Sequence, residues 1–179
     1  FMCHNLGANE GADPFTPAAE IHGAMYQFGI GTEALSQADN LSNTGEVPGW
    51  NNSVSGSGDW DMVTQNPCPP GWRVPTIEEW AAVINTSNNA ITKVGTDWTS
   101  GSGNYYTGTQ IGDALFLPTA GLRSTSNGSL NFRGIYGYYW SSTADGSYNG
   151  HYLGLNSVDQ GTGNNFSRSY GFSVRCVAE

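Results

Sequence analysis

The clearest local signal in the chain is Pro75-Thr76-Ile77-Glu78-Glu79, because it fixes where a helix begins. Thr76 can accept from the backbone N–H of Glu79, while the Glu79 side chain can accept from the N–H of Thr76, a reciprocal capping box. Behind it Ile77, Trp80, Ala81 and Ile84 recur at i, i+3, i+4 and i+7, one apolar helix face. The spacing predicts a helix of about three turns with that face buried. After Asn85 the pattern stops, and polar sequence punctuated by glycine runs over 86–112. Ala114-Leu115-Phe116-Leu117-Pro118 reads as a short buried strand ended by proline. From Leu130 onward short aromatic strands (136–141, 151–155, 171–177) alternate with Gly, Asn and Ser turns. In the last of these Phe172, Val174 and Cys176 fall on one face. Segment 20–29 is a strand candidate through Ile21, Met25 and Phe28, and 45–58 reads as a long surface loop. No repeat of fixed period interrupts this order. The expectation for 1–179 is a single α+β domain of short twisted antiparallel strands, with one or two helices and long loops.

Composition decides whether so glycine-rich a chain folds at all. Gly numbers 25 and charged residues make up only 12%, which taken alone suits disorder. Six Trp, nine Tyr and seven Phe argue the other way, since disordered chains are poor in aromatics. The net charge of −9 repels phosphate backbones and anionic lipid, so no nucleic-acid partner is expected. No apolar run has the length to span a bilayer, so no direct membrane insertion is expected. The chain opens on Phe1 rather than Met, and the expectation is the C-terminal part of a longer protein.

Catalytic constellations are missing. His4, His22 and His151 are scattered, with no H-x-x-x-H pair and no nearby cysteine nucleophile. Asp59 and Asp61 flank Trp60 and are read as a poor acid/base pair. The expectation is therefore no enzyme and no cofactor. Asp97, Asp113, Asp145 and Asp159 are isolated in sequence, leaving a structural Ca²⁺ as the one ion the fold could assemble. Cys3, Cys68 and Cys176 match no paired zinc pattern; one disulfide with one free thiol, or three buried thiols, both remain open.

Several blocks carry a family resemblance. Asn66-Pro-Cys-Pro-Pro-Gly-Trp-Arg-Val-Pro-Thr-Ile-Glu-Glu-Trp80 and Gly171-Phe-Ser-Val-Arg-Cys-Val177 resemble the formylglycine-generating-enzyme-like branch of the C-type lectin fold. With Cys3-His-Asn-Leu-Gly-Ala8, Tyr139-Trp-Ser-Ser-Thr143 and Ser167–Cys176, the chain is similar to the Fibrobacter-type major paralogous domain, found in surface and secreted proteins of gut bacteria. The resemblance implies that the first and last strands meet and that Cys176 approaches Cys68. Cys68–Cys176 is then the preferred disulfide and Cys3–Cys176 the alternative. The C-terminal half lacks the reactive cysteines of the formylglycine-generating enzymes, and the E-P-N, Q-P-D and W-N-D sugar motifs of calcium-dependent lectins are absent. What remains is the scaffold.

Residues 145–152, Asp-Gly-Ser-Tyr-Asn-Gly-His-Tyr, are reachable by adenine changes in an Asn codon and so resemble variable proteins of diversity-generating retroelements. Their composition is also that of adaptable paratopes, where Tyr supplies contact area and Ser, Asn and Gly supply hydrogen bonds. The expected ligand-binding set is Tyr136, Tyr138, Asp145, Ser147, Tyr148, Asn149, His151, Tyr152, Asn156, Asp159, Asn164, Asn165, Phe166, Ser169 and Tyr170. The implied role is a display domain, extracellular on a bacterial cell surface or phage virion, binding a protein or glycan. The alternative is a structural or adhesive module without diversification.

Overall fold

A computed structural model describes residues 1–179. After a single 3₁₀ turn (Ala19–Ile21) the elements run α1 (Gln37–Ser42), β1 (Trp72–Arg73), α2 (Ile77–Val83), β2 (Ile91–Val94), β3 (Gly108–Ile111) and β4 (Leu115–Pro118). β5 (Leu122–Arg123), β6 (Leu130–Asn131), β7 (Gly137–Asp145), β8 (Asn149–Leu155), β9 (Gln160–Gly161), β10 (Asn165–Ser167) and β11 (Val177–Ala178) follow. They form four small sheets: β1 with β11, β2-β3-β4, β5 with β6, and a sheet ordered β10-β8-β7 with β9 added to β8. Every ladder is antiparallel. The molecule is α+β, strands dominating, and no helix is long and apolar enough to cross a membrane.

The helix start is where the sequence predicts it. Thr76 accepts from Glu79 N–H and the Glu79 carboxylate accepts from Thr76 N–H at 2.8 Å, completing the capping box. Arg73 adds a fork of two bonds to Glu79 at 2.6 and 2.7 Å, so strand β1 and helix α2 are joined through one carboxylate. That guanidinium holds the Glu79 carboxyl below its ordinary range. The extent is another matter. The helix has seven residues rather than about three turns, and Ala81 is exposed. Trp80 alone is fully buried, with Ile77 and Ile84 half-buried, because one indole spans the gap to the sheet. Its Nε1 donates to Trp140 O and its ring packs on Tyr139.

Three other segments depart from expectation. The stretch 20–29 makes only two isolated bridges, Met25 to Leu35 and Tyr26 to Phe172, and is buried on both sides from Ile21 to Phe28. The polar run 86–112 holds β2 and β3, which lean on the apolar β4. The segment 171–177 is likewise mostly not a strand with one wet face. Ser173 and Arg175 are as buried as Phe172, Val174 and Cys176, because it threads between the N-terminal segment and β7. Met2 N–H donates to Cys176 O and Leu6 N–H to Val174 O, so the two chain ends lie side by side. Cys68 and Cys176 are disulfide-bonded, with Cα atoms 6.1 Å apart, and Cys3 is a free, exposed thiol.

The core is an aromatic stack centred on Trp140, which lies 4.1 Å from Phe172 between ring centroids and meets Phe28 edge-on. A second cluster gathers Trp80, Tyr139, Leu117, Leu153 and Leu155 under α2. Around both, buried arginines add to the backbone–backbone bonds that satisfy loop carbonyls. Arg123, Arg133, Arg168 and Arg175 are buried, and none is paired with a carboxylate. Arg175 donates to Asn5 Oδ1 and to the carbonyls of Met2, Cys3 and Phe116. Arg123 and Arg133 share Asn40 as acceptor. Five donors in a rigid fork suit a cage of carbonyls. Burial lowers the pKa of Arg123 and Arg175 to about 10, which leaves both charged at neutral pH.

Candidate functional site

β7 and β8 form a hairpin whose ladder shifts register between Trp140 and Ala144. Side chains on adjacent positions of a strand face opposite ways, so β8 sends Gly150 and Tyr152 toward the Trp140 stack and Leu153 and Leu155 toward Trp80. Phe166 on β10 pairs with Gly150 across the ladder and stacks on Tyr152 at 5.2 Å between centroids, 10° from parallel. Tyr138 on β7 lies 5.6 Å from both Tyr136 and Tyr152. The outcome is a row of rings along one face of the four-stranded sheet, continued by Tyr170 beside Phe166.

At the end of this row opens a cleft of about 140 Å³. Tyr136, Tyr138 and Tyr152 line it together with Asn156, Asp159, Gln160 and Asn164, and with Gly154, Leu155 and Gly161. The turn after β8 is rigid at its polar tip: Asn156 Oδ1 accepts from the N–H groups of Val158 and Asp159, and Asp159 Oδ1 accepts from Gln160 N–H. Lys93, from β2, donates to the backbone carbonyl of Asp159 at 3.0 Å and fastens that turn from outside. Burial raises the pKa of Tyr138, and the neighbouring phenols of Tyr152, Tyr136 and Tyr170 push it the same way. Burial raises that of Tyr152 too, followed by Tyr170. These phenols remain protonated and able to donate.

Three other depressions are larger, at about 210, 430 and 400 Å³, and in the first two several polar groups are bonded within the protein. Beneath the first, Arg133 is bonded to Ser102 and Asn40 carbonyls. In the second, Glu46 accepts from Asn127 and the Trp50 Nε1 donates to Ser169 O. The third is an N-terminal groove lined by Phe1, Met2, Cys3, His4, Glu10 and Trp72, with no amide or phenol side chain among them. The tyrosine cleft gathers three phenol hydroxyls, the side chains of Gln160 and Asn164, the Asn156 amide N–H₂ and the second oxygen of Asp159, all left without partners in the protein, which is the usual composition of a binding site.

The nominated residues divide into groups. Tyr136, Tyr138, Tyr152, Asn156, Asp159 and Asn164 line the cleft, and Phe166 and Tyr170 extend its ring row. Asp145, Ser147 and Tyr148 stand exposed at the hairpin turn, Tyr148 at 70%. Asn149, His151 and Asn165 fall on alternate positions of β8 and β10, facing away from Tyr152. Ser169 is a correction of surface placement: it is buried at 1%, its hydroxyl accepting from Val54 N–H and its carbonyl from Gln27. Tyr148, His151, Tyr152 and Tyr170 do not share one open face, since Tyr152 is 6% exposed and His151 points the other way. Gly154, Leu155, Gln160 and Gly161 are lining residues that the sequence did not single out; only the neighbour relation of Gln160 to Asp159 hinted at one of them.

No group of three or more His, Cys, Asp and Glu side chains converges as a metal-ion cage. Comparison with curated proteins and with solved structures gives no match. The family model described as the Fibrobacter succinogenes major domain matches residues 19–178, and the chain belongs to that family.

Proposed function

We propose that the chain is a non-catalytic recognition domain whose binding site is the tyrosine cleft beside β8 and β9. The observation that carries this reading is the set of phenol hydroxyls, side-chain amide groups and one carboxylate oxygen left unpartnered around one small concavity. A single carboxylate, Asp159, lines the cleft, which supports binding over two-carboxylate hydrolysis. The scaffold reading that goes with it is the C-type-lectin-like fold of the formylglycine-generating-enzyme-like branch, carried outside the cell on a bacterial surface protein or phage virion. The partner is a protein or glycan of such a surface. A glycan and protein array probed with the domain should yield hits that Asn164→Trp, which fills the cleft from its exposed rim, abolishes. Hits unchanged by that substitution would move the site elsewhere.

The exposed hairpin turn supports a second, finer reading, in which the domain is the variable protein of a diversity-generating retroelement. Packing narrows where such variation can fall. A Cβ on Gly150 would collide with the Phe28 ring, and Tyr152 is in the core, so both are fixed. Asp145, Ser147 and Tyr148 tolerate any side chain that the turn accepts. Reverse transcriptase and a template repeat beside the gene, with adenine-driven changes at these three codons, are the expected result. A neighbourhood with neither would leave the adhesive or structural module as the reading.

A further inference from the structure

The rings around the cleft are packed on one another, and this decides what they can offer a ligand. Tyr136 and Tyr138 are 33° from parallel, Tyr138 and Phe172 29°, and Tyr152 and Phe166 10°, all with centroids between 5.0 and 5.6 Å. At that spacing the ring faces of Tyr138 and Tyr152 are covered by neighbours, and the two residues are only 7% and 6% exposed. A cation cage or a flat stacking platform needs open faces. This row instead presents edges, and the edges carry hydroxyls. Neither phenol oxygen is bonded within the protein, nor is either among the buried polar atoms lacking a partner, so both reach the cleft.

From this geometry we infer that the cleft holds a single uncharged sugar unit, gripped by phenol hydroxyl edges; the inference rests on the recognition reading above and names its ligand class. Each phenol can both donate and accept, as each sugar hydroxyl does. The same cleft is lined by Asp159 with its free oxygen, by Asn156 with its amide N–H₂, and by the unengaged side chains of Gln160 and Asn164. An apolar side chain of a protein partner would leave these groups unmatched, which costs more than matching them gains. The volume of about 140 Å³ is well below the roughly 300–1,000 Å³ of pockets for drug-sized ligands, so one ring enters and the rest of the chain stays outside. Charge selects further. Asp159 is the one charged side chain in the cleft, no Asp or Glu of the molecule is buried, and four of the cations are. Uronic and sialic acids meet repulsion; neutral hexoses and N-acetylhexosamines do not.

The test is an NMR titration of the labelled domain with short oligosaccharides of glucose, galactose, mannose and N-acetylglucosamine, and with oligogalacturonate as the acidic counterpart. At least one neutral oligosaccharide should shift the amides of 154–161 saturably, and oligogalacturonate should not. The paired substitution Tyr138→Phe and Tyr152→Phe removes two hydroxyls while keeping the rings, so the core spectrum should persist while affinity drops about tenfold or more. Silence from every neutral oligosaccharide, equal binding of the acidic one, or unchanged affinity in the paired variant would each overturn the inference. A protein ligand lost on Asn164→Trp yet indifferent to the Phe pair would refute the sugar and keep the recognition reading. A domain with no ligand sensitive to Asn164→Trp would refute both.

Discussion

Arg175 shows how single residues hold this molecule. Its guanidinium is fully buried and gathers Asn5 Oδ1 with three backbone carbonyls from residues far away in sequence. Arg175→Met keeps the stem and strands those acceptors, each unmatched group costing about 1–3 kcal/mol. A loss of about 3 kcal/mol or more in urea unfolding is expected. His22 gives a second residue-scale prediction. Burial, helped by the nearby Arg133 charge, lowers its pKa to about 3. The unfolded chain protonates this ring below about 6.5, whereas the folded one keeps it neutral down to about 3. The unfolded state therefore takes up the proton first, and stability falls as pH drops through that window. His22→Phe should flatten the fall between pH 6.5 and 4 in urea midpoints; an unchanged slope would assign the acid sensitivity to the carboxylates. None of this was legible in sequence. Arg175 stood out only as part of a motif, and an arginine among polar neighbours gives no sign of a partner 170 residues away.

Among the elements, α2 was the most readable and its limits are instructive. Thr76→Ala removes one half of the capping box and should cost about 1 kcal/mol, measurable as a shift in thermal midpoint. The capping signal is local, so sequence located the helix start. The end depends on the sheet, which accepts one Trp80 indole and leaves Ala81 in water. Apolar spacing overstated the length for that reason. β2 and β3 were missed because Thr92, Lys93 and Gln110 give no alternation, and their pairing is dictated by β4 and closed by Asp159. The hairpin of β7 and β8 was located through its aromatic residues, but the strands read over 136–141 and 151–155 extend to Gly137–Asp145 and Asn149–Leu155. Its faces were less legible: Tyr152 and His151 were placed together, yet the pleat separates them. At this scale Gly150→Ala should destabilise the hairpin measurably, because the new methyl meets the Phe28 ring.

Across the whole molecule, stability comes from closing the chain on itself. The N-terminal segment lies on the last, β1 pairs with β11, and Cys68–Cys176 seals a span of 108 residues. In the chain-entropy account, a bridge over so long a loop contributes about 4–5 kcal/mol. The Cys68→Ala and Cys176→Ala pair should lower unfolding free energy by about that amount. Parity with the parent would mean that the packed ends suffice without it. The tyrosine cleft depends on the same closure, since Phe172 from the terminal segment backs the ring row and Lys93 from the distant β2 sheet pins its far wall. Six of its ten lining residues were legible as a paratope-like composition, while the glycines and Leu155 beneath them gave no chemical sign. Hydrogen-exchange mapping of the domain with an array-selected ligand tests the central claim most directly. Protection confined to 136–138 and 152–164 is the expected result. Protection centred instead on the Phe1–Trp72 groove or on 46–50 would contradict the assignment of the cleft.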